Sequence, residues 1–409
     1  FFFFFFFFFL GKSNTVYKIL QELSKKKIPF LVIEPAKGEY KNIFGICSEV
    51  NVFGTNAKKT ALLKIDPFKF PEDVHVLEHI DRLIEIFNVC WPMYAAMPAV
   101  LKEAVERAYC LAGWDLDTSE NRFEDALFPG FIDVLNELYE TINISDFSEE
   151  VKSNYRGALA TRVKSLTNGI NGQVFATDEI AGDILFNSNT IIDLSRVASV
   201  ETKALIMGIL VMKLQEFRLA EGGMNRSLRH VTVLEEAHNL LKRVSTEQSS
   251  EGINLIGKSV EMLANSIAEM RTFGEGFIIA DQSPNLLDLS AIRNTNTKII
   301  MRLPEYEDRV LVGKAASLND DQIDEIAKLP TGVGVVYQND WLEPVLCHVD
   351  AVVVSESEFI YKAPALKRAE EKLRYDIVRC LLGNVVGEQV RYCFEDMKAR
   401  ILKSGFSVS

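Results

Sequence analysis

Several common features are scarce in this 409-residue chain. It has only six cysteines, widely spaced and without a C-x-x-C pair, which argues against a disulfide scaffold or a structural zinc site. No internal stretch of about 18 apolar residues occurs, so we expect no membrane span and a cytoplasmic location. Basic residues are outnumbered by acidic ones, giving a net charge of −12. Any contact with nucleic acid must therefore be local rather than spread over the outer surface.

A run of nine phenylalanines opens the chain and continues into Leu10. The run lacks the basic segment and the small-residue cleavage site of a signal peptide. It holds nine of the 27 phenylalanines, so the rest of the chain has an ordinary aromatic content. We interpret the run as placeholder residues and leave it out of the fold prediction. If the motif that follows is functional, residues 1–9 should occupy a central strand and its turn.

Alternating strand and helix patterns predict an α/β fold with a central, mainly parallel sheet. The predicted parts are a first core segment at 1–67, a mostly helical insertion at 68–180, a second core segment at 181–355 and a helical tail at 356–409. The strand patterns lie at 28–33, within 183–194, and at 229–234, 276–280, 297–303, 332–338 and 343–354.

Residues 11–15 (GKSNT) have the composition of the end of a phosphate-binding loop. In such a loop, backbone N–H groups and a helix N-terminus face the phosphates, a Lys such as Lys12 reaches the outer phosphates, and a hydroxyl such as that of Ser13 binds Mg²⁺. The full motif has another glycine at position 6, where this chain has Phe6. The alternative is an ordinary helix N-terminus capped by Ser13.

Two adjacent acids, Glu235 and Glu236, follow the buried-strand pattern at 229–234. Ligands bind beyond the carboxyl ends of strands in open α/β sheets. We predict that Glu235 supports Mg²⁺ and that Glu236 polarises the attacking water. Gln282, which follows the strand pattern at 276–280, is a candidate sensor of the terminal phosphate. A solvated strand end is the alternative for the acids.

With these elements in order, the chain resembles the HerA-type ATPases of the HerA/FtsK clade. The Glu-Glu-Ala-His segment at 235–238 is the most specific match. The resemblance covers about residues 10–355 and departs from the family pattern at Asp281, where a small hydroxyl residue is common. The matching segments are GKSNT at 11–15, IEPAKGEY at 33–40, TIIDLS at 190–195, VTVLEEAHNLL at 231–241, ADQSP at 280–284 and NTKIIMRL at 296–303.

The resemblance implies a RecA-like P-loop core that hydrolyses ATP with Mg²⁺ between the subunits of a homo-hexameric ring. It also implies that Glu39 has an accessory role next to the nucleotide. An arginine from the next subunit is expected to complete each site, and Arg271 is the first candidate and Arg302 the second. A salt bridge is the alternative for either arginine. The expected nucleotide-binding residues are Gly11, Lys12, Ser13, Asn14, Thr15 and Glu39; Ser13 and Glu235 are expected at the metal, and Glu236 and Gln282 in catalysis.

Movement of double-stranded DNA through the ring, together with a partner nuclease or defence effector, is the function that the resemblance implies. Candidate DNA-contacting stretches are 156–172, with Arg156, Arg162 and Lys164, and 242–258, although ordinary solvated helix charge explains any one of these residues as well. Two alternatives stay open. One is a conjugation or secretion ATPase of the same clade, and the other is a nucleotide-regulated scaffold ring for an effector enzyme.

Overall fold

The structure, a computed structural model, describes residues 3–7, 11–244, 251–352 and 358–363. The chain divides into two compact units, Phe1–Tyr361 and Lys362–Ser409. The fold described below belongs to the first unit. The predicted helical tail at 356–409 lies almost entirely outside the described residues.

Ten of the twelve strands in the described residues form one sheet, and β5 pairs with β6 in a separate hairpin. The order across the sheet is β12-β11-β10-β1-β9-β8-β2-β7-β3-β4. The β10–β11 and β11–β12 pairs are antiparallel, and the other pairs of this sheet are parallel. The predicted mainly parallel sheet is therefore confirmed. The strands are β1 (Phe3–Phe7), β2 (Phe30–Glu34), β3 (Val50–Gly54), β4 (Ala61–Leu62), β5 (Trp114–Asp115), β6 (Glu120–Asn121), β7 (Asn189–Asp193), β8 (His230–Glu235), β9 (Glu275–Asp281), β10 (Thr297–Ile300), β11 (Val333–Gln338) and β12 (Val345–His348).

Helices cover the sheet and fill the segment between β4 and β7, where the sequence predicts a mostly helical insertion. They are α1 (Lys12–Lys25), α2 (Tyr40–Ile43), α3 (Val76–Cys90), α4 (Met97–Leu111), α5 (Phe131–Ile144), α6 (Glu149–Tyr155), α7 (Thr161–Leu166), α8 (Asn171–Val174), α9 (Gly182–Phe186), α10 (Val200–Ala220), α11 (Glu251–Glu269), α12 (Leu289–Arg293), α13 (Tyr306–Ala315) and α14 (Asp320–Glu325). Within the described part of the chain, no helix is long and apolar enough to cross a membrane.

The central strands β2, β8 and β9 are buried along their whole length and mostly apolar, because both faces of the sheet are covered. In β2, Leu31 and Ile33 join a large core, while Phe30 and Val32 join a second core. Alternate residues of a strand point to opposite faces, so this one strand contributes to both cores. Helix α1 covers the second core, and α3 and α10 contribute to the first. The sheet is thus the middle layer of three.

The phenylalanine run contributes strand β1 between β9 and β10, and it is parallel to both. Phe6 is aligned with Ala280 of β9 and with Ile299 of β10. The prediction that these positions form a central strand is confirmed. Residues 8–10, the turn before α1, lie outside the described residues.

The segment 183–194, within which the sequence predicts a strand, is a strand only in its second half. Its first half belongs to α9, and only Asn189–Asp193 forms a strand. Phe186 and Leu185 are buried in the larger core from the helix. The apolar residues of this segment were therefore compatible with either structure, because a short apolar run does not distinguish a buried helical turn from a strand.

Candidate functional site

Four neighbouring parallel strands end in acidic residues at the same edge of the sheet. In spatial order these are β9 with Asp281, β8 with Glu235, β2 with Glu34 and β7 with Asp193. All four side chains are buried. Carboxyl ends of parallel strands are the usual place for a ligand in an open α/β sheet, so this acidic edge is the candidate site.

Helix α1 brings a lysine to this edge. Its N-cap is Gly11, whose φ of 100° lies in the left-handed region that glycine adopts without strain. The ammonium of Lys12 lies 2.7 Å from Glu235 Oε2 and 2.6 Å from Glu236 Oε1. Burial alone would lower the pKa of Lys12, but the two carboxylates outweigh it and hold that pKa above its ordinary value. Lys12 is therefore a charged group within the acidic edge.

Glu236 follows β8 in a left-handed backbone conformation, with φ 46° and ψ 51°. A residue other than glycine in this region is uncommon and marks a position held by its surroundings. The side-chain amide of Gln282 donates to Glu236 Oε1 over 2.7 Å, and Lys12 donates to the same oxygen. The structure therefore brings together Lys12, Glu235, Glu236 and Gln282, although they lie far apart in the sequence.

Glu235 has a second partner that the sequence analysis missed. The hydroxyl of Tyr40 donates to Glu235 Oε1, and Tyr40 is almost completely buried. Glu34 in turn accepts hydrogen bonds from the backbone N–H groups of Glu39 (2.8 Å) and Tyr40 (3.2 Å). Glu34 therefore holds the turn that places Tyr40 against Glu235. The sequence did contain a signal for Glu34, because this acid ends a strand pattern in the IEPAKGEY segment. The prediction for that segment concerned only Glu39.

Asp281 and His238 form a further pair at this edge. Asp281 is fully buried, and its Oδ2 accepts from both the backbone N–H and the Nδ1 of His238, each at 2.8 Å. This hydrogen bond raises the pKa of His238, although partial burial opposes it. The histidine of the Glu-Glu-Ala-His segment is thus bonded to the end of the neighbouring strand β9.

The remaining predicted nucleotide-binding residues have varied surroundings. Ser13 lies half-buried in the first turn of α1, and the helix is capped by Gly11 without a side-chain hydrogen bond, so Ser13 is not the cap. The Thr15 hydroxyl donates to the Gly11 carbonyl. Asn14 Nδ2 donates to the Asp350 carbonyl, and its Oδ1 accepts from the Val352 N–H.

Glu39 lies beside Tyr17, whose hydroxyl donates to its Oε2 over 3.4 Å. Tyr17 projects from α1, the helix that also carries Ser13 and Lys12. Besides the pairs of Lys12, an ion pair between Lys41 and Asp193 lies at the acidic edge. Glu39 therefore lies next to the helix that brings Lys12 to the acidic edge.

The two candidate arginines lie at opposite edges of the sheet. Arg302 follows β10 at the carboxyl edge, is exposed, and donates from Nε to the Ala327 carbonyl over 3.0 Å. Arg271 is exposed ahead of β9, at the amino edge. Neither arginine lies in the cluster around Lys12, so either would act only on a site in a neighbouring subunit.

The candidate DNA-contacting residues lie in the helical region. Arg156 begins a π-helical turn, Arg156–Ala160, and Arg162 and Lys164 lie on α7. Lys164 is exposed. In the second candidate stretch, 242–258, residues 245–250 lie outside the described residues.

Comparison with known proteins assigns the chain to a family. The family model described as "Helicase HerA, central domain" matches residues 10–214, half of the chain. This match contains the segment GKSNT and the acidic turn at 33–40, but it ends before Glu235.

Curated relatives include a DNA double-strand break repair helicase HerA of Sulfolobus acidocaldarius, 29% identical over 29% of this chain and 22% of the relative. A probable helicase of Methanocaldococcus jannaschii is 23% identical over 83% of this chain and 64% of the relative. The chain thus spans less than two thirds of the length of either relative.

Two solved structures share the fold. VirB4 of Thermoanaerobacter pseudethanolicus superposes with a TM-score of 0.64 at 17% identity, covering 86% of this chain and 89% of that one. The plasmid coupling protein TrwB, in complex with ADP and Mg²⁺, superposes with a TM-score of 0.58 at 11% identity, covering 88% and 87%. At these identities the similarity concerns the fold, and it supports the P-loop core that the sequence predicts.

Proposed function

This chain belongs to the HerA helicase central-domain family, and from that premise we propose that it is an ATPase, the motor subunit of a hexameric ring that translocates or unwinds double-stranded DNA. The observation that carries the proposal is the cluster of Lys12, Glu235, Glu236 and Gln282 at the carboxyl edge of the parallel sheet. It combines one cation for phosphate, two acids and an amide, which are side chains that P-loop enzymes use, together with Mg²⁺ and an arginine, to hydrolyse a nucleoside triphosphate.

Each member of the cluster has a proposed role. Lys12 moves from the carboxylates to the outer phosphates of ATP when nucleotide binds, because the phosphates offer it the same type of charged oxygen. Glu236 orients and deprotonates the attacking water, and Gln282 holds Glu236 and senses the terminal phosphate. Gly11, Asn14, Thr15 and Glu39 complete the proposed nucleotide-binding set.

Ser13 and Glu235 are the residues that would hold Mg²⁺. Hydroxyl and carboxylate oxygens are hard ligands that suit this ion. Glu235 ends β8 at the carboxyl edge, and Ser13 follows Lys12 in the first turn of α1. In the structure the Glu235 oxygens accept from Tyr40 and Lys12, so the second contact must be released for metal binding. The ion supplies neutralisation of the phosphate charge.

The ring and its substrate follow from the family rather than from the described contacts. An arginine of the neighbouring subunit, Arg271 or Arg302, is proposed to stabilise the charge that develops on the transferred phosphate. The curated relatives include DNA double-strand break repair helicases, which supports double-stranded DNA as the substrate. A partner nuclease or defence effector, in DNA end processing or anti-phage defence, completes the proposal.

The proposal is tested by measuring ATP hydrolysis with and without double-stranded DNA, for wild type and for Glu236→Gln. We expect DNA to stimulate the wild type. The Glu236→Gln variant should bind ATP normally but hydrolyse it about 100-fold more slowly or worse, because the amide keeps the shape and cannot accept the proton.

The alternatives give different results in the same experiment. If the protein hydrolyses ATP but neither binds DNA nor responds to it, the nucleotide-regulated scaffold ring is favoured over the motor. A wild type that binds ATP and never hydrolyses it would reject the motor entirely. This chain shares its fold with VirB4 and with the plasmid coupling protein TrwB, so a conjugation or secretion ATPase is the other alternative. Stimulation of ATP hydrolysis by single-stranded rather than double-stranded DNA would favour that alternative.

A further inference from the structure

We infer that Asp281 is a positioning residue that joins the catalytic acid to the sensor, by holding His238 beside Glu236 and the backbone of the turn that carries Gln282. The inference rests on the proposed roles of Glu236 and Gln282 and adds two residues to that site. It concerns the position at which this chain departs from the pattern of the family it resembles.

The hydrogen bonds of Asp281 divide between two strand ends. Its Oδ2 accepts from the backbone N–H and the ring Nδ1 of His238, both at 2.8 Å, on the segment that follows β8. Its Oδ1 accepts from the backbone N–H groups of Gln282 (2.8 Å) and Ser283 (3.0 Å), on the segment that follows β9. One buried carboxylate therefore fixes both segments with respect to each other.

Each of the two segments lies next to one carboxylate oxygen of Glu236. Its Oε1 accepts from the side-chain amide of Gln282 over 2.7 Å, and its Oε2 lies 3.7 Å from Nδ1 of His238. The left-handed backbone at Glu236 makes its side-chain direction depend on such neighbours. Loss of Asp281 should release the ring and the amide together, and the carboxylate of Glu236 would then sample orientations in which it misses the water.

A metal site is the competing explanation, because Glu236, His238 and Asp281 each offer a ligand atom within 4.8 Å of the others. A carboxylate has about four lone-pair sites. All of those of Asp281 are used by the four N–H donors described above. Asp281 has therefore no free ligand position, and the arrangement fits a hydrogen-bonded support of the acid better than a cation site.

The test compares Asp281→Asn, His238→Gln and the double variant in the full chain, with basal ATPase measured without DNA. Asparagine keeps the size and one acceptor oxygen but puts N–H donors against His238. We expect kcat to fall about 10- to 100-fold in Asp281→Asn, as is typical when the partner that orients a functional side chain is lost. KM for ATP should stay close to wild type, whereas the thermal midpoint should fall, because a buried N–H donor then faces another donor. The value of kcat is therefore compared per amount of folded protein. Because both residues act through Glu236 along one path, the double variant should be no slower than the slower single variant.

Asp288→Asn is the matched control, since Asp288 also accepts from a serine backbone N–H two residues on but lies at the start of α12. It should keep the wild-type kcat. A wild-type kcat in Asp281→Asn, or effects of the two residues that multiply in the double variant, would overturn the inference. A fall in kcat that only accompanies a matching loss of folded protein would also overturn it. The variants are compared without DNA, so the comparison does not depend on the motor proposal. If DNA fails to stimulate the wild type, the motor is rejected, but the effect of Asp281 on basal ATP hydrolysis can still be read.

Discussion

At the scale of single residues, the acidic edge depends on groups that hold other groups in place. Glu34 does not belong to the Lys12 cluster, yet it fixes the turn from which Tyr40 reaches Glu235. Burial raises the pKa of Glu34 to about 7, the two backbone hydrogen bonds oppose this, and the nearby charges of Glu235 and Asp193 add to it. Ionisation of the buried Glu34 carboxyl therefore lowers the free energy of unfolding.

This cost predicts a specific pH dependence. The ordinary pKa of Glu34 is 4.5 and its folded value is about 7, so the folded state binds the proton more tightly than the unfolded chain does. The stability due to this proton is present below about pH 4.5 and is lost as the pH rises to about 7, and it amounts to about 3 kcal/mol. Glu34→Gln should remove this loss, which urea unfolding at pH 5, 6 and 7 would measure.

The comparison uses Glu72→Gln, an exposed carboxyl on a loop, as its control. The control should keep the pH slope of the wild type. If Glu34→Gln also keeps that slope, the carboxyl of Glu34 is not buried in the way that the structure describes.

At the scale of elements, helix α1 connects the site to the far part of the chain. Both amide atoms of Asn14 bind the backbone of residues 350 and 352, which follow β12. The sequence predicts a nucleotide-binding role for Asn14, but in the structure its side chain ties the first turn of α1 to that segment. The two roles can be separated by experiment.

Asn14→Ala should lower the free energy of unfolding by about 1–2 kcal/mol, because two hydrogen bonds are lost. Asn14→Asp keeps the acceptor for Val352 but sets a carboxylate oxygen against the Asp350 carbonyl, so it should also be less stable than the wild type. Denaturant unfolding and the KM for ATP are measured together. If Asn14→Ala raises KM and leaves the stability unchanged, the amide binds nucleotide rather than the backbone.

At the scale of the whole molecule, the site around Lys12 contains no arginine among the described residues, and both candidates lie away from it. A ring of identical subunits with head-to-tail contacts places the surface of one subunit against the site of the next. Arg302 lies at the same sheet edge as the site, whereas Arg271 would require the neighbour to present its amino edge. We therefore expect Arg302 to be the more important of the two.

Mixing of inactive variants tests the contribution in trans. Glu236→Gln and Arg302→Ala subunits should each form inactive rings with a mass near six times 46.1 kDa in solution. Random mixing in equal amounts should restore about a quarter of the interfaces, since each needs an intact acid on one side and an intact arginine on the other. Arg271→Ala mixed in the same way is the parallel arm. If mixed rings recover no activity with either arginine, neither acts across the interface, and a monomer under all nucleotide conditions would contradict the ring itself.

The sequence determined the fold class, the strands that carry the site and most of its chemistry, because these depend on local patterns. Apolar runs ending in acids predict buried parallel strands, and GKSNT predicts a helix that starts with a lysine. Boundaries were less accurate: the predicted strand at 297–303 ends at Ile300, so Arg302 lies beyond it.

Only the tertiary structure decided which side chains meet. The contact between Tyr40 and Glu235 spans 195 residues, that between Lys12 and Glu236 spans 224, and Asp281 reaches His238 across 43. Such contacts depend on the order of strands in the sheet and on the left-handed turn at Glu236, and no local pattern encodes either. The sequence thus specifies the groups available for the proposed hydrolysis, and long-range packing selects the ones that hold Glu236 in place.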